Sequence, residues 1–214
     1  MLKLYSYFRS SASYRVRIGL NLKGLKYEYT PVHLAKDGGE QNKAAYRAVN
    51  PMGHVPALEH EGNLILESMA ILDYLDAVYP TVRLFPSTPL ERAKVVQLCE
   101  VINSGIQPLQ NLKVLRELEA SFGQSKADTE RWLRHWITDG FKNLEQMLSK
   151  TAGTYSYGGQ VTAVDLFLVP QCFAARRFNV VLENFPHIHR VNENCLKLEA
   201  FKKAHPEKQP DFAP

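Results

Sequence analysis

The sequence predicts an α/β domain followed by an all-α domain, and three features of the chain carry that prediction. The first eighty residues alternate between strand-like and helix-like segments. Tyr79 to Pro89 contains Pro80, Pro86 and Pro89 with little periodicity, and the segments beyond it have a helical period with no convincing strand between them. The domains are therefore expected at residues 1–80 and 90–214, with a linker at 81–89.

Each element of the first domain follows from its local pattern. Leu2 to Tyr7 sets Leu2, Leu4 and Ser6 opposite Lys3, Tyr5 and Tyr7, the period-2 alternation of a short strand. Ser10 to Lys23 reads as a helix, with serines at its start, Val16, Ile18 and Leu20 inside it and Gly24 just past its end. Tyr27 to Val32 alternates again. Pro56 to His60 and Leu64 to Leu66 read as a hairpin around Glu61, Gly62 and Asn63. Ser68 opens another helix, whose apolar face holds Ile71, Leu72, Leu75 and Val78. The order β-α-β, then β-β-α, is that of a thioredoxin-like domain.

In the second domain, Leu90 to Ser104, Pro108 to Leu118, Thr129 to Lys150, Thr162 to Phe178 and His187 to Ala200 all carry helical periodicity, which predicts a bundle. Thr162 and Asp165 stand at capping-box spacing just before the apolar run Leu166 to Val169. Trp132, Trp136 and Phe141 are spaced for a helix face and read as core or interface rather than as a ligand cage.

Composition narrows the function classes. With 214 residues, 45% of them hydrophobic and 22% charged, the chain belongs with ordinary globular proteins. Met1 to Phe8 lacks the pattern of a signal peptide and no stretch has the length of a membrane span, so a cytosolic protein with no membrane partner is expected. Cys99, Cys172 and Cys195 are odd in number and widely separated, which argues against a disulfide framework and for reduced, buried thiols. A net charge of +4 without a basic run points away from nucleic acid and toward a small anion. His187 and His189 have no companion cluster at zinc-like spacing, so no metal is expected.

The stretch with most chemistry is Ser10 to Leu20, a strand-to-helix turn with three serines and two arginines. The free N–H groups of a helix's first turn carry about half a positive charge and stabilise an anion such as a thiolate. The alternative assigns Ser10 or Ser11 as a plain N-cap and the arginines as solvated face residues. Asn50 to Pro56 places a proline at the start of a strand, where either an ordinary turn or a cis Val55–Pro56 bond suits the residues. Glu67 and Ser68 open the next helix and offer donors to a carboxylate and an acid to an amino group, or else simply cap it. Three such places in one small domain suit a ligand with a thiol, a peptide middle and a zwitterionic end, which is the layout of glutathione. The absence of cysteine at the first helix start separates the chain from dithiol oxidoreductases.

The block Tyr5 to Arg17, together with Asn50 to Pro56, Gln107 to Asn111 and the tail His205 to Asp211, resembles the zeta-class glutathione transferases, which include the maleylacetoacetate isomerases, along essentially the whole chain. The resemblance implies a glutathione transferase fold and a homodimer. It implies glutathione contacts from Ser10, Ser11, Ala12, Ser13, Tyr14, Arg15, Gln41, Val55, Glu67, Ser68, Gln107, Asn111, Leu112 and Lys113. Ser11, with Ser10 beside it, takes the catalytic position, and Arg9 and Arg177 take the carboxylates of a dicarboxylic substrate, Arg177 being preferred to Arg176 by motif position. The family's motif usually has cysteine where this chain has Ala12, so a mechanism that needs an enzyme thiol there is excluded. The expected activity is isomerisation of maleylacetoacetate or maleylpyruvate through reversible addition of the glutathione thiolate. The alternatives are a conjugating or dehalogenating transferase, which would consume glutathione, and a non-catalytic binding protein.

Overall fold

The computed structural model describes residues 1–213 and divides into two compact units. The first comprises Met1–Leu84 together with the chain from Lys197 onward, and the second is Phe85–Leu196.

The first unit is built on a four-stranded mixed sheet in the order β2-β1-β3-β4. β1 (Leu2–Ser6) alternates buried and half-buried residues, as the sequence pattern requires, and pairs parallel with β2 (Tyr27–Pro31) across the helix α1 (Ser11–Leu22). β3 (Ala57–His60) runs antiparallel to β1 and to β4 (Asn63–Leu66). The hairpin turn is tighter than the sequence suggests. Asn63 already pairs with His60, and Glu61 and Gly62 alone turn the chain, both at positive φ of 52° and 78°. A short helix, α2 (Ala44–Arg47), precedes the turn that leads to β3, and α3 (Ser68–Val78) follows β4. Leu2, Leu4, Val16, Leu20, Leu58, Ile71 and Leu75 fill the space between the sheet and the two long helices. Beneath the far end of α3, Lys23 Nζ donates to Asp76 at 3.0 Å and to the Tyr79 carbonyl at 3.0 Å, with the Lys23 and Asp76 side chains both buried.

The second unit holds α4 (Pro89–Glu100), α5 (Leu112–Phe122), α6 (Lys126–Thr151), α7 (Ala163–Arg177) and α8 (Pro186–Leu196). Val95, Leu98, Ile137, Phe141, Leu144, Leu166, Phe167 and Ile188 are among its buried residues. Asp165 reaches back to the Thr162 N–H at 2.8 Å, closing the predicted box, and also accepts from the Ser156 N–H at 2.8 Å. Three helix boundaries depart from the pattern. α4 gives way to a π-helical turn over Val101–Ile106, where Asn103 and Ser104 both bond the Glu100 carboxylate. The helix expected from Pro108 begins instead at Leu112, because Asn111 caps it and Gln107–Gln110 forms a separate 3₁₀ turn. The segment His187 to Ala200 is not one helix: α8 ends at Leu196, and extended Leu198 opens α9 (Glu199–Ala204). His187 and His189 lie on α8.

The last of these breaks alters the domain layout. The sequence suggested that residues 90–214 form one helical body, whereas the chain from Lys197 onward packs on the first unit. The physical reason lies in Arg17. Its guanidinium is buried and donates to the Ala204 carbonyl at 3.1 Å, to Ser6 Oγ at 3.1 Å, to the Tyr7 carbonyl at 3.2 Å and to the Phe8 carbonyl at 2.9 Å. Asp211 completes the attachment, accepting from the Phe8 N–H at 3.0 Å and from the Tyr29 hydroxyl at 2.6 Å. Among the described residues no helix is long and apolar enough to cross a membrane.

Candidate functional site

The start of α1 is the centre of the candidate site. Ser10 is its N-cap: the side chain accepts from the Ser13 N–H at 3.2 Å, and the carbonyl accepts from the Tyr14 N–H at 2.9 Å. The Ser10 N–H is in turn used by the Tyr7 carbonyl at 3.0 Å. Those bonds leave the amides of Ser11 and Ala12 without a protein acceptor among the described residues, and no acidic side chain lies in the first turn to occupy them. Ser11 and Ala12 are half-buried, so the two amides and the Ser11 hydroxyl stand at an accessible helix start where a negative charge is favoured. The Ser13 hydroxyl is buried with no hydrogen-bond partner. Ser10 thus holds the helix end together, and Ser11 is left out of the cap.

Neither arginine of α1 is a solvated face residue, which corrects one reading of the sequence. Arg15 is 1% exposed and donates from Nη1 to Ser68 Oγ at 3.0 Å, tying the start of α3 to α1. Arg17 is wholly buried, and that burial lowers its pKa from the ordinary guanidinium value. Both are part of the scaffold behind the helix starts.

The other predicted residues of the first unit gather around the same end of the sheet. The Val55–Pro56 bond is cis, and the β1–β3 ladder begins at Ala57, so the peptide groups of Val55 lie outside it. Val55 packs with Tyr7 and Phe8, the residues that lead from β1 to the helix start. Glu67 occupies the N-cap position of α3 at φ 66° and ψ 126° and makes no capping bond, so it is not the ordinary cap that its position allowed. A non-glycine residue held at such a φ costs about 1–3 kcal/mol, and strain of this kind gathers at functional sites. Ser68 accepts from Arg15 Nη1 at 3.0 Å, a bond that leaves its own hydroxyl proton unused. Gln41 is buried. Its Nε2 donates to the Leu34 carbonyl at 3.2 Å, while its Oε1 has no hydrogen-bond partner.

In the second unit, Gln107 opens the 3₁₀ turn and the Leu109 carbonyl in that turn accepts from Trp132 Nε1 at 2.8 Å. Trp132 therefore does have a polar role beside its packing. The Asn111 side-chain oxygen is spent on the Lys113 N–H at 3.0 Å, and Leu112 and Lys113 are exposed on the first turn of α5. At the end of α7 the two adjacent arginines differ. Both are exposed; Arg176 is paired with Glu193 at 2.8 Å, and Arg177 rests over the Phe178 ring at 5.4 Å. Arg9 is likewise exposed, over the rings of Tyr7 and Phe8 at 5.9 and 5.7 Å.

All three cysteines lie in the second unit and are buried, and burial pushes the thiols of Cys172 and Cys195 upward, away from the thiolate form. Among the described residues no group of three or more His, Cys, Asp or Glu could hold a metal ion. Sequence reasoning passed over the loop from His33 to Glu40, which encloses Gln41. The glycine pair Gly38 and Gly39 after Asp37 was the available signal for a tight loop there.

A thioredoxin-like sheet whose first helix start is open to an anion, in a chain with a separate helical unit, has the architecture of a glutathione transferase, and residues 4–83 match the family model for the glutathione S-transferase N-terminal domain. Over 208 residues the chain is 47% identical to maleylacetoacetate isomerase of Mus musculus, covering 97% of this chain and 94% of the relative. Among solved structures, a holo maleylpyruvate isomerase described as a bacterial zeta-class glutathione S-transferase superposes with a TM-score of 0.95 at 41% identity, covering 99% of this chain and all of that one. Maleylacetoacetate isomerase of Anaeromyxobacter dehalogenans, solved with dicarboxyethyl glutathione and citrate in its active site, superposes with a TM-score of 0.89 at 44% identity over 100% of this chain and 98% of that one. The chain belongs to the zeta-class glutathione transferase and maleylacetoacetate isomerase family.

Proposed function

We propose that the protein is a glutathione-dependent cis–trans isomerase that converts maleylacetoacetate or maleylpyruvate to the fumaryl form. The observation that carries this reading is the pair of unclaimed amides at Ser11 and Ala12, beside the Ser11 hydroxyl and with no acidic residue in the turn. The fit to glutathione is supported by groups left over after internal bonding: the Gln41 Oε1, the buried Ser13 hydroxyl and the strained Glu67 ahead of Ser68. Similar proteins described with glutathione or its dicarboxyethyl adduct support the same choice.

Glutathione, when bound, supplies a thiol that adds reversibly to the substrate double bond, so that rotation becomes possible and the thiol is regenerated. The chain's own residues have distinct tasks. Ser10 closes the first turn and fixes the direction of the Ser11 and Ala12 amides. Those amides and the Ser11 hydroxyl hold negative charge on the sulfur, which lowers the thiol pKa from its ordinary value near about 8.5. Val55 offers its backbone to the peptide portion, Ser68 its hydroxyl to a carboxylate, and Glu67 its acid to the amino group. In the second unit, Gln107 and Asn111 to Lys113 are assigned to glutathione by resemblance. By the same resemblance, Arg9 and Arg177 are assigned to the substrate carboxylates. No enzyme thiol takes part, since Ala12 stands where the family usually has cysteine.

The reading extends to a cytosolic homodimer, carried by the family resemblance. The test incubates the pure protein with maleylacetoacetate and with maleylpyruvate, each with and without glutathione, and follows cis-to-trans conversion and free thiol together. Conversion with glutathione unconsumed is expected. Depletion of glutathione would mark a conjugating enzyme, and conversion of neither substrate would remove the isomerase reading.

A further inference from the structure

The loop that carries Gln41 is closed on itself by His33. The His33 Nδ1 accepts from the backbone N–H of Ala35 at 3.2 Å and of Lys36 at 2.8 Å. The His33 N–H donates to the Glu40 carboxylate at 2.7 Å, and the His33 carbonyl accepts from the Glu40 N–H at 2.8 Å. Next to that ring of bonds sits Gln41, with its Nε2 on the Leu34 carbonyl. Gly39, at φ 96°, lies so close that a Cβ there would stand 2.4 Å from the Gln41 amide nitrogen. The loop therefore sets where the free Oε1 of Gln41 points.

An imidazole can accept at Nδ1 only while its proton is on Nε2, and the protonated ring donates from both nitrogens. Two backbone N–H groups would then face a third N–H, and both caps would be lost. We propose that His33 is a positioning residue for glutathione, whose neutral imidazole holds the loop that presents Gln41 and whose protonation loosens it. The proposal rests on the reading of Gln41 as a glutathione contact. The groups around His33 are Glu40, the loop residues Lys36 and Asp37, and the Tyr7 ring, whose centroid is 5.0 Å from the imidazole.

Asparagine separates the two roles, because its Oδ1 lies the same number of bonds from Cα as the histidine Nδ1 and accepts at any pH. The probe is S-methylglutathione, which has no thiol to titrate, with Kd measured by calorimetry at about pH 7.5 and about pH 5.5. For the unaltered protein we expect binding to weaken about 5- to 30-fold on acidification, the range that follows from losing one or two such hydrogen bonds. His33→Asn should weaken by less than about twofold, and His33→Ala should bind poorly at both pH values. In a Gln41→Ala background, His33→Ala should add little further loss, as the effect passes through Gln41. The proposal is overturned if His33→Asn shows the full acid loss, or if His33→Ala binds as tightly as the unaltered protein. Should His33→Ala fail to fold, the pH ratio of His33→Asn still decides. Failure of the unaltered protein to bind either glutathione or the probe at the higher pH would sink the glutathione reading itself, and this proposal with it.

Discussion

Replacing Arg17 by methionine should unfold the attachment of the C-terminal segment and lower the stability of the first unit sharply. The side chain is fully buried and makes four hydrogen bonds, three to backbone carbonyls and one to Ser6 Oγ. These bonds do not simply add, because burying the guanidinium opposes them, as its lowered pKa records. Methionine fills much of the volume but leaves the Ala204 and Phe8 carbonyls and the Ser6 hydroxyl without a donor, while the Tyr7 carbonyl keeps the Ser10 N–H. Each buried acceptor left unsatisfied costs about 1–3 kcal/mol, and no longer burying a charge offsets part of that, so a loss of about 3–5 kcal/mol is expected. For a chain of this size each kcal/mol shifts Tm by about 2–4 °C, so a fall of about 6–20 °C is expected. Arg17→Lys, which keeps the charge but not the planar fork, should fall between the two. Urea titration and thermal melting read the loss, and limited proteolysis should show the chain from Lys197 onward becoming accessible first. A methionine variant within about 0.5 kcal/mol of the parent, the range of an ordinary surface substitution, would refute the reasoning.

The two serines should part company on substitution. Ser10→Ala should cost about 0.5–2 kcal/mol of stability through the lost cap. Ser11→Ala should leave Tm unchanged and lower turnover about 10- to 100-fold, the worth of one hydrogen bond to a charged group; unchanged turnover would remove the role given to that hydroxyl. The native protein should resist thiol reagents, with Cys99, Cys172 and Cys195 reacting only on denaturation and isomerase activity surviving exposure to iodoacetamide, since all three are buried and the Cys172 and Cys195 thiols are held in the protonated form.

What the sequence revealed was mostly local. Ser10 before a polar-apolar helix, the Thr162 and Asp165 spacing, the hairpin about Glu61 and Gly62 and the alternation of β1 each depend on a few neighbouring residues, and the structure holds them nearly where the pattern put them. What escaped was set by partners far along the chain. Periodicity shows that Glu199–Ala204 has an apolar face but not which body it covers, and that choice is made by Arg17, whose bond to Ala204 spans 187 positions. Arginine on a helix normally reads as surface, so the burial of Arg15 and Arg17 gave no sequence signal. The positive φ of Glu67 was equally hidden, because a non-glycine residue does not announce that conformation. Of the site, the helix start and Val55 to Pro56 were legible from residue chemistry. Gln41, Gln107, Asn111 and Arg177 came through resemblance, and the His33 loop that fixes Gln41 was not seen.

The proposed chemistry requires that α1 ionise the sulfur of its ligand. The direct measurement is a pH titration of the ultraviolet thiolate absorbance of glutathione bound to the protein, compared with free glutathione and with the Ser11→Ala variant. A bound thiol pKa at or below about 7, returning toward about 8.5 in the variant, is the predicted result. A bound thiol that titrates like the free one would contradict it.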